Sequence, residues 1–432
     1  MKRVELNKLK KIHFIGIGGI GMSALARLFL HDKKQVSGSD HAPSNITDGL
    51  HSLGIEVATE QGPQNITNDI DLVVYTEAIA KDHPELVAAQ KKKIPTLNYF
   101  EALGLAVNPY YLIAVAGTHG KTTTTAMLTD IFESAGKDPT AIIGSLRTKT
   151  QSNFRAGKSK YAIVEACEYR RNFLFLEPDL LVITNIEEEH LDYFKGIKDI
   201  QDAFRELAKK VPEGGHVVCN AKDPLVKPVI EGLLCSVIDY SRYVDPLLKL
   251  TQPGLHNIMN AGAARATAEI LGINKEVVAQ ALGQFAGTWR RFEYKGKTKK
   301  GALIYDDYAH HPTEIKAAIK GARDMHPDKE ITVVFQPHLH SRTYKFFKDF
   351  ALTLAGADHI IITDIYAARK EGDHNVSGEK LAEATLKHNK NTRYVSSFAD
   401  IEKELKKNAT AKDVVIIMGA GDVANIATEL TM

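Results

Sequence analysis

The chain has 432 residues, 44% hydrophobic and 25% charged, a balance that suits two to four folded domains and excludes disordered and fibrous classes. With 55 basic against 53 acidic residues, no global field favours nucleic acid or an anionic membrane, so any anion site must be local. Cys167, Cys219 and Cys235 are an odd set without Cys-x-x-Cys spacing, which argues against a disulfide framework or structural zinc and fits a reducing cytoplasm.

Lys2, Arg3, Lys8, Lys10 and Lys11 before an apolar stretch imitate a signal peptide, but recurring glycines and Arg27 break the run before any cleavage site. No transmembrane helix is expected. Lys11 to Gly16 reads as a first strand, Gly19 to Leu30 as a helix, Gln35 to Ser39 as a second strand and Asp71 to Thr76 as a later one. Between the first strand and its helix stands Gly16-Ile-Gly18-Gly19-Ile-Gly21, a formal Gly-x-Gly-x-x-Gly in the right context. Asp40 ends the second strand, where a ribose-binding acid belongs, so NAD is the literal reading. A nucleotide-sugar diphosphate fits a helix N-terminus equally well, and plain helix–strand packing by the glycines is the structural alternative.

After the linker Asn108-Pro109-Tyr110, the strand Tyr111 to Ala116 runs into Gly117-Thr118-His119-Gly120-Lys121-Thr122-Thr123 and a helix. This is a phosphate-binding device. The glycines let backbone N–H groups turn inward, Lys121 reaches terminal phosphates and the Thr122 hydroxyl suits Mg²⁺. ATP or GTP is the expected ligand. The spacing Gly-x-x-Gly-Lys-Thr is two residues shorter than the standard loop.

In open parallel sheets, ligands lie beyond the carboxyl ends of strands. The apolar run Tyr161 to Val164 delivers Glu165, and Leu180 to Thr184 delivers Asn185 and then His190. A carboxylate beside bound triphosphate suits Mg²⁺, which takes oxygen ligands; the bland alternative pairs Glu165 with a neighbouring Lys or Arg. His190, among Glu187, Glu188, Glu189 and Asp192, reads by itself as a solvated histidine, since imidazole is not a preferred Mg²⁺ ligand.

A second boundary falls near Gly287 to Arg291, followed by strands at Ala302 to Tyr305, Ile331 to Phe335, His359 to Thr363 and Val414 to Met418. The expected fold is α/β with three domains: a Rossmann-like unit at 1–107, a central P-loop ATPase-like parallel-sheet unit at 108–289 and a second Rossmann-like unit at 290–432. The third unit is dense in polar groups at Asp306 to Glu314 and Gln336 to Arg342. Adjacent His310 and His311 diverge on a strand or loop, so zinc is not expected there. Arg290 and Arg291 either reach a phosphate or cap a helix end, and Pro312 with Glu314 fits helix initiation.

The loop Gly-Thr-His-Gly-Lys-Thr-Thr-Thr, Gly254-Leu-His-Asn257-Ile-Met-Asn260-Ala and Trp289-Arg-Arg-Phe292, in that order, resemble motifs of the Mur ligase family, ATP-dependent amide-forming enzymes of peptidoglycan synthesis. His13 to Ser23, Ser37 to Asp40, Asp306 to Glu314 and Phe335 to His338 are most similar to members that join L-alanine to UDP-N-acetylmuramate. The resemblance implies that Gly16, Gly18, Gly19, Gly21, Met22, Ser23, Ser39 and Asp40 bind UDP-sugar rather than NAD. It implies that Gly117 to Thr123 bind ATP and that Thr122, Glu165 and His190 hold Mg²⁺. Asn257 would lie near adenine, Arg291 near phosphates and Asp307 near the nucleotide, while His310, His338 and Arg342 would face the muramate carboxylate and the amino acid. Lys121, Glu165, His190, His310 and Arg342 would be catalytic.

Two departures stand out. Many relatives have Ala-Asp-Glu-Ser-Asp after the glutamate, where this chain has Ala166-Cys167-Glu168-Tyr169-Arg170, and Leu339-His340 replaces a common Arg-Tyr. The rival readings are a recycling ligase that attaches a preformed tripeptide, a nucleotide-binding regulator that has lost catalysis and, last, a dehydrogenase. The expected partners are small molecules, with neither nucleic acid nor membrane, and no motif assigns an oligomeric state.

Overall fold

The computed structural model describes residues 4–252, 254–367 and 374–431; Lys2 and Arg3 lie outside the described residues. The first sheet contains β1 (Lys11–Ile15), β2 (Gln35–Ser39), β3 (Glu56–Ala58), β4 (Leu72–Tyr75) and β5 (Thr96–Asn98), all parallel, in the order β3-β2-β1-β4-β5. The second contains β6 (Tyr111–Ala116), β7 (Thr140–Arg147), β8 (Ser152–Arg155), β9 (Tyr161–Glu165), β10 (Leu180–Ile183), β11 (His216–Cys219) and β12 (Ser236–Asp239). Its order is β12-β11-β10-β6-β9-β7-β8, with β8 antiparallel to β7. The third contains β13 (Glu293–Lys297), β14 (Leu303–Asp307), β15 (Glu330–Phe335), β16 (His359–Ile362), β17 (Thr392–Tyr394) and β18 (Asp413–Met418). Here the order is β13-β14-β18-β15-β16-β17, with β13 antiparallel to β14.

The α/β reading with three parallel-sheet units therefore describes the chain. β2 and β6 have the ranges expected from their apolar runs, and the other expected strands shift by one or two residues. The central strands are apolar throughout because helices cover both faces of a parallel sheet; Leu112 to Ala116, Leu180 to Ile183 and Val414 to Met418 are fully buried. Each Val, Leu, Ile or Met among them contributes roughly 1.5–3 kcal/mol by leaving water. β1 has neighbours β2 and β4 on its two sides, and β6 has β9 and β10. Both glycine loops thus leave the sheet where the chain changes direction across it, the crevice in which open α/β sheets take ligands.

Residues Met1–Val244 with Asn260–Leu282 form one compact unit, and Asp245–Met259 with Gly283–Met432 form another. The first two sheets share a unit because the β7–β8 hairpin packs on the helix Ile20–His31. Asn153 Nδ2 donates to Ile20 O at 2.5 Å and Ser23 Oγ at 3.0 Å, and Arg27 donates to Ser152 Oγ at 3.3 Å. Among the described residues, no helix is long and apolar enough to cross a membrane.

The helix behind the phosphate loop, Lys121–Ser134, is rich in threonine, a weak helix former. Two of its buried hydroxyls are satisfied within the helix, Thr125 donating to Lys121 O and Thr129 to Thr125 O, each at 2.8 Å. Its far end is anchored by Arg147 of β7, only 2% exposed, which meets Asp130 at 2.7 Å and Glu133 at 2.6 Å. Removing one member of a buried ion cluster leaves the others charged and unpaired. Arg147→Ala is therefore expected to cost about 3–5 kcal/mol of unfolding free energy in urea; a loss below about 1 kcal/mol would class the cluster with solvated surface pairs.

Candidate active site

The loop between β6 and the helix Lys121–Ser134 is pinned from β10. His119 N donates to Asn185 Oδ1 at 2.9 Å, Thr118 N to Asn185 O at 3.1 Å, and Asn185 Nδ2 to His119 O at 3.0 Å. Thr184 Oγ1 adds a bond to His119 O at 2.5 Å. Gly117 and Gly120 have φ of +140° and +81°, and a Cβ on them would fall 1.9 Å from Thr184 Oγ1 and 2.3 Å from Asn260 Oδ1. Side chains are excluded on both counts. Asn260, quoted in the sequence only as part of a motif, thus faces the loop directly.

Lys121 folds over the loop. Its ammonium donates to Gly117 O at 2.5 Å and Thr118 O at 2.9 Å and pairs with Glu168 Oε2 at 2.9 Å. Burial alone would lower its pKa, but Glu168, Cys167 and Glu165 outweigh it and hold the ammonium charged. Burial likewise pushes Glu168 upward, yet Lys121 and then His190 bring its carboxyl below the usual range. His190 Nε2 lies 3.5 Å from Glu168 Oε1, its ring against Tyr169 with centroids 4.7 Å apart, and its backbone φ is +55°. It is packed rather than solvated. Glu165 ends β9, with Oε2 accepting from Gly144 N at 2.8 Å; Thr122 and Thr123 lie buried in the first helical turn.

These groups fit a hard cation. Glu165 commits one oxygen to Gly144 and keeps the other, and Thr122 adds a hydroxyl, which together make an oxygen-rich donor set appropriate to Mg²⁺. Sequence reasoning put no function on Glu168, although it stands only three residues past Glu165; its one visible signal was its place in a segment that departs from relatives.

At the first glycine loop, Gly16 N and Ile17 N donate to Ser39 O, and Gly18 N donates to Asp40 Oδ2 at 2.8 Å. Asp40 thus braces the loop as well as ending β2. The Ser39 hydroxyl turns away and donates to fully buried Glu85 at 2.6 Å, while Met22 and Ser23 are buried against the protein. The side chains of Ser39, Met22 and Ser23, expected beside a ligand, thus face the protein interior. On β1, burial and then Lys11 push His13 down to about 4, and its Nδ1 lies 3.0 Å from Ser37 Oγ.

The C-terminal unit gathers a second polar cluster. Adjacent arginines share the Tyr308 ring but differ in their charge partners: Arg290, 7% exposed, pairs with Asp306 at 3.2 Å and donates to Gly419 O and Gly421 O, whereas Arg291 lies 3.7 Å from Glu314. The His310 and His338 ring centroids are 5.9 Å apart, Arg342 Nη1 is 2.8 Å from His338 Nδ1, and Tyr366 stacks on His338 at 5.8 Å. His310, His338 and Arg342 are thus brought together, with Tyr366 unforeseen. His311 turns the other way, onto Phe346 at 4.6 Å, and caps the helix Pro312–Met325 with Glu314. Leu339, at a departure from relatives, is buried with φ +70°. Asn257 is buried in the helix Leu255–Ile270.

Asp307 ends β14, accepting from Ala309 N at 2.8 Å. Burial pushes its carboxyl up to about 7, with Arg291 only partly opposing, and burial raises Asp306 to about 6.

Three family models match in succession: "Mur ligase family, catalytic domain" over residues 11–111, "Mur ligase middle domain" over 115–246 and "Mur ligase, glutamate ligase domain" over 290–421. The UDP-N-acetylmuramate--L-alanine ligase of Agathobacter rectalis is 42% identical, covering 100% of this chain and 99% of that protein. That of Clostridium tetani is 40% identical, covering 97% of each. The solved UDP-N-acetylmuramate-alanine ligase of Thermotoga maritima superposes with a TM-score of 0.82 at 28% identity, covering 97% of this chain and 98% of that one. A murein peptide ligase from Psychrobacter arcticus shares the fold at a TM-score of 0.72 and 24% identity, covering 98% of both.

Asp307 also sets a pH dependence. Between its unfolded value near 4 and its folded value of about 7, the folded chain holds a proton that the unfolded chain has released, so stability falls as pH rises through that window. Asp307→Asn should raise the melting temperature at pH 8 and change it much less at pH 4.5; equal shifts at both would reject this origin.

Proposed function

Because the chain belongs to the Mur ligase family, we propose that it is an ATP-dependent ligase joining L-alanine to the carboxylate of UDP-N-acetylmuramate. The products are UDP-N-acetylmuramoyl-L-alanine, ADP and phosphate, a step of peptidoglycan synthesis. The observation that carries this reading is the meeting, at Lys121 of a short phosphate loop, of carboxylate and imidazole from neighbouring strand ends. Identity of about 40% over whole chains to ligases of that name supports the substrates.

A carboxylate resists amines because its charge and resonance make it a poor electrophile with no leaving group. Transfer of the γ-phosphoryl group of ATP to that oxygen gives an acyl phosphate. The amino group of alanine attacks its carbonyl, and the tetrahedral intermediate expels phosphate. The N-terminus of the helix Lys121–Ser134 and the Lys121 ammonium receive the negative charge of the phosphates. Mg²⁺, held by Thr122, Glu165 and His190, would supply further charge neutralisation on the transferring group. The UDP-diphosphate is assigned to the first turn of the helix Ile20–His31 beside Gly16 to Gly19.

We assign residues 1–107 to the UDP-sugar, 108–289 to ATP and 290–432 to the amino acid and further nucleotide contacts. Asn257 and Arg291 are given to the nucleotide, and Asp307 likewise. His310, His338 and Arg342, which lie together, are given to the carboxylates of muramate and alanine, with Arg342 as their charge partner. The three free thiols support a cytoplasmic setting.

Phosphate release in the presence of ATP, Mg²⁺ and UDP-N-acetylmuramate tests the reading, with L-alanine, L-serine, glycine and a stem tripeptide offered in turn. Release is expected with L-alanine, and release with tripeptide alone would make this a recycling ligase. Lys121→Ala should lower turnover by about 10³-fold or more while UDP-N-acetylmuramate binding persists; near-normal turnover would remove the lysine from the reaction.

A further inference from the structure

An ammonium has three N–H groups to give, and in Lys121 all are engaged: with Gly117 O, with Thr118 O and with the carboxylate of Glu168. Glu168 is 2% exposed, and its second neighbour is His190 at 3.5 Å. A phosphate entering the loop seeks the same ammonium. It meets a carboxylate already there, of the same sign as itself, held where water cannot screen either charge. A phosphate must displace one of these three acceptors or share the ammonium with a like-charged carboxylate, and drawing Lys121 off Glu168 is costly because a buried pair loses its partner.

We infer that Glu168 is a positioning residue of the phosphate site, whose carboxylate holds Lys121 in place of a nucleotide phosphate and so weakens nucleotide binding. This rests on the assignment of Gly117 to Thr122 to ATP. The pair keeps the lysine charged, ordered and folded against its loop when the site is empty, and His190 remains beside Glu168 once the lysine has transferred. The same competition promotes product release, since ADP offers the ammonium one phosphate fewer than ATP.

The test is calorimetric titration of ADP into the full chain in EDTA, so that metal binding by the carboxylates does not enter. Wild type is expected to bind ADP, and Glu168→Gln, which keeps shape but removes the charge, to bind it more tightly by on the order of tenfold. A carboxylate with a merely structural role would leave affinity unchanged or lower it. Equal or weaker binding by a Glu168→Gln protein with native circular dichroism overturns the inference. Should that variant not fold, Glu168→Asp retracts the charge from Lys121 and should also tighten binding, by less; wild-type or lower affinity there is equally fatal. If wild type binds no ADP even with Mg²⁺ present, the nucleotide assignment itself fails, and the inference with it.

Discussion

A lysine ammonium taken out of water must be given oxygen, and the first compact unit is arranged around that need. Lys121 meets two carbonyls of its own loop and one carboxylate from beyond β9. The carbonyls are available because Gly117 and Gly120 turn through backbone conformations closed to other residues, and the loop is then tied to β10 through Thr184 and Asn185. Loop and lysine follow β6, the carboxylate lies beyond β9 and the loop's anchors lie beyond β10, so the charge balance exists only when these three strands lie side by side. The apolar runs that build those strands therefore govern the electrostatics of the site as well as its stability.

Charge is handled differently in the C-terminal unit. Asp306 and Asp307 are neighbours on β14, and burial raises both. Arg290 spends itself on Asp306 and two backbone carbonyls of its own unit, while Arg291 stays with Glu314, and both lie over Tyr308. Asp307 is left with one backbone donor and a more distant arginine, a group whose charge is easily altered by what binds beside it. His310, His338 and Arg342 gather because strand ends β14 and β15 are brought to one edge of the sheet, with β18 between them.

The N-terminal glycine loop shows how one pattern serves several ligands. Its glycines and Asp40 satisfy a dinucleotide formula, yet Asp40 binds the loop's own Gly18 N–H, and Ser39 is occupied by buried Glu85. The loop's own N–H groups are bonded within the protein as well, which leaves the start of the helix Ile20–His31, and a helix N-terminus suits a diphosphate without specifying its nucleoside. Specificity must come from side chains elsewhere, and the pattern alone could not choose between NAD and a UDP-sugar.

By itself the sequence determined the elements and their chemical types. Runs such as Tyr111 to Ala116 are long, apolar and closed by glycine, so local pattern suffices to mark a buried strand ending in a phosphate loop, and Lys121, Glu165 and His190 are legible at or beyond their strand ends. Short or polar edge strands such as β3 and β8 carry no such run and were not legible. Tertiary structure decided which groups meet. Glu168 precedes a 3₁₀ segment in which Arg170 and Arg171 take positive φ, a course no periodicity announces, and its partners lie 47 and 22 residues away in the chain. The same is true of Arg290 against Arg291, identical neighbours with different charge partners. Pattern reports what one segment prefers, whereas pairing of buried charge depends on distances between segments, and those arise only when the sheets assemble.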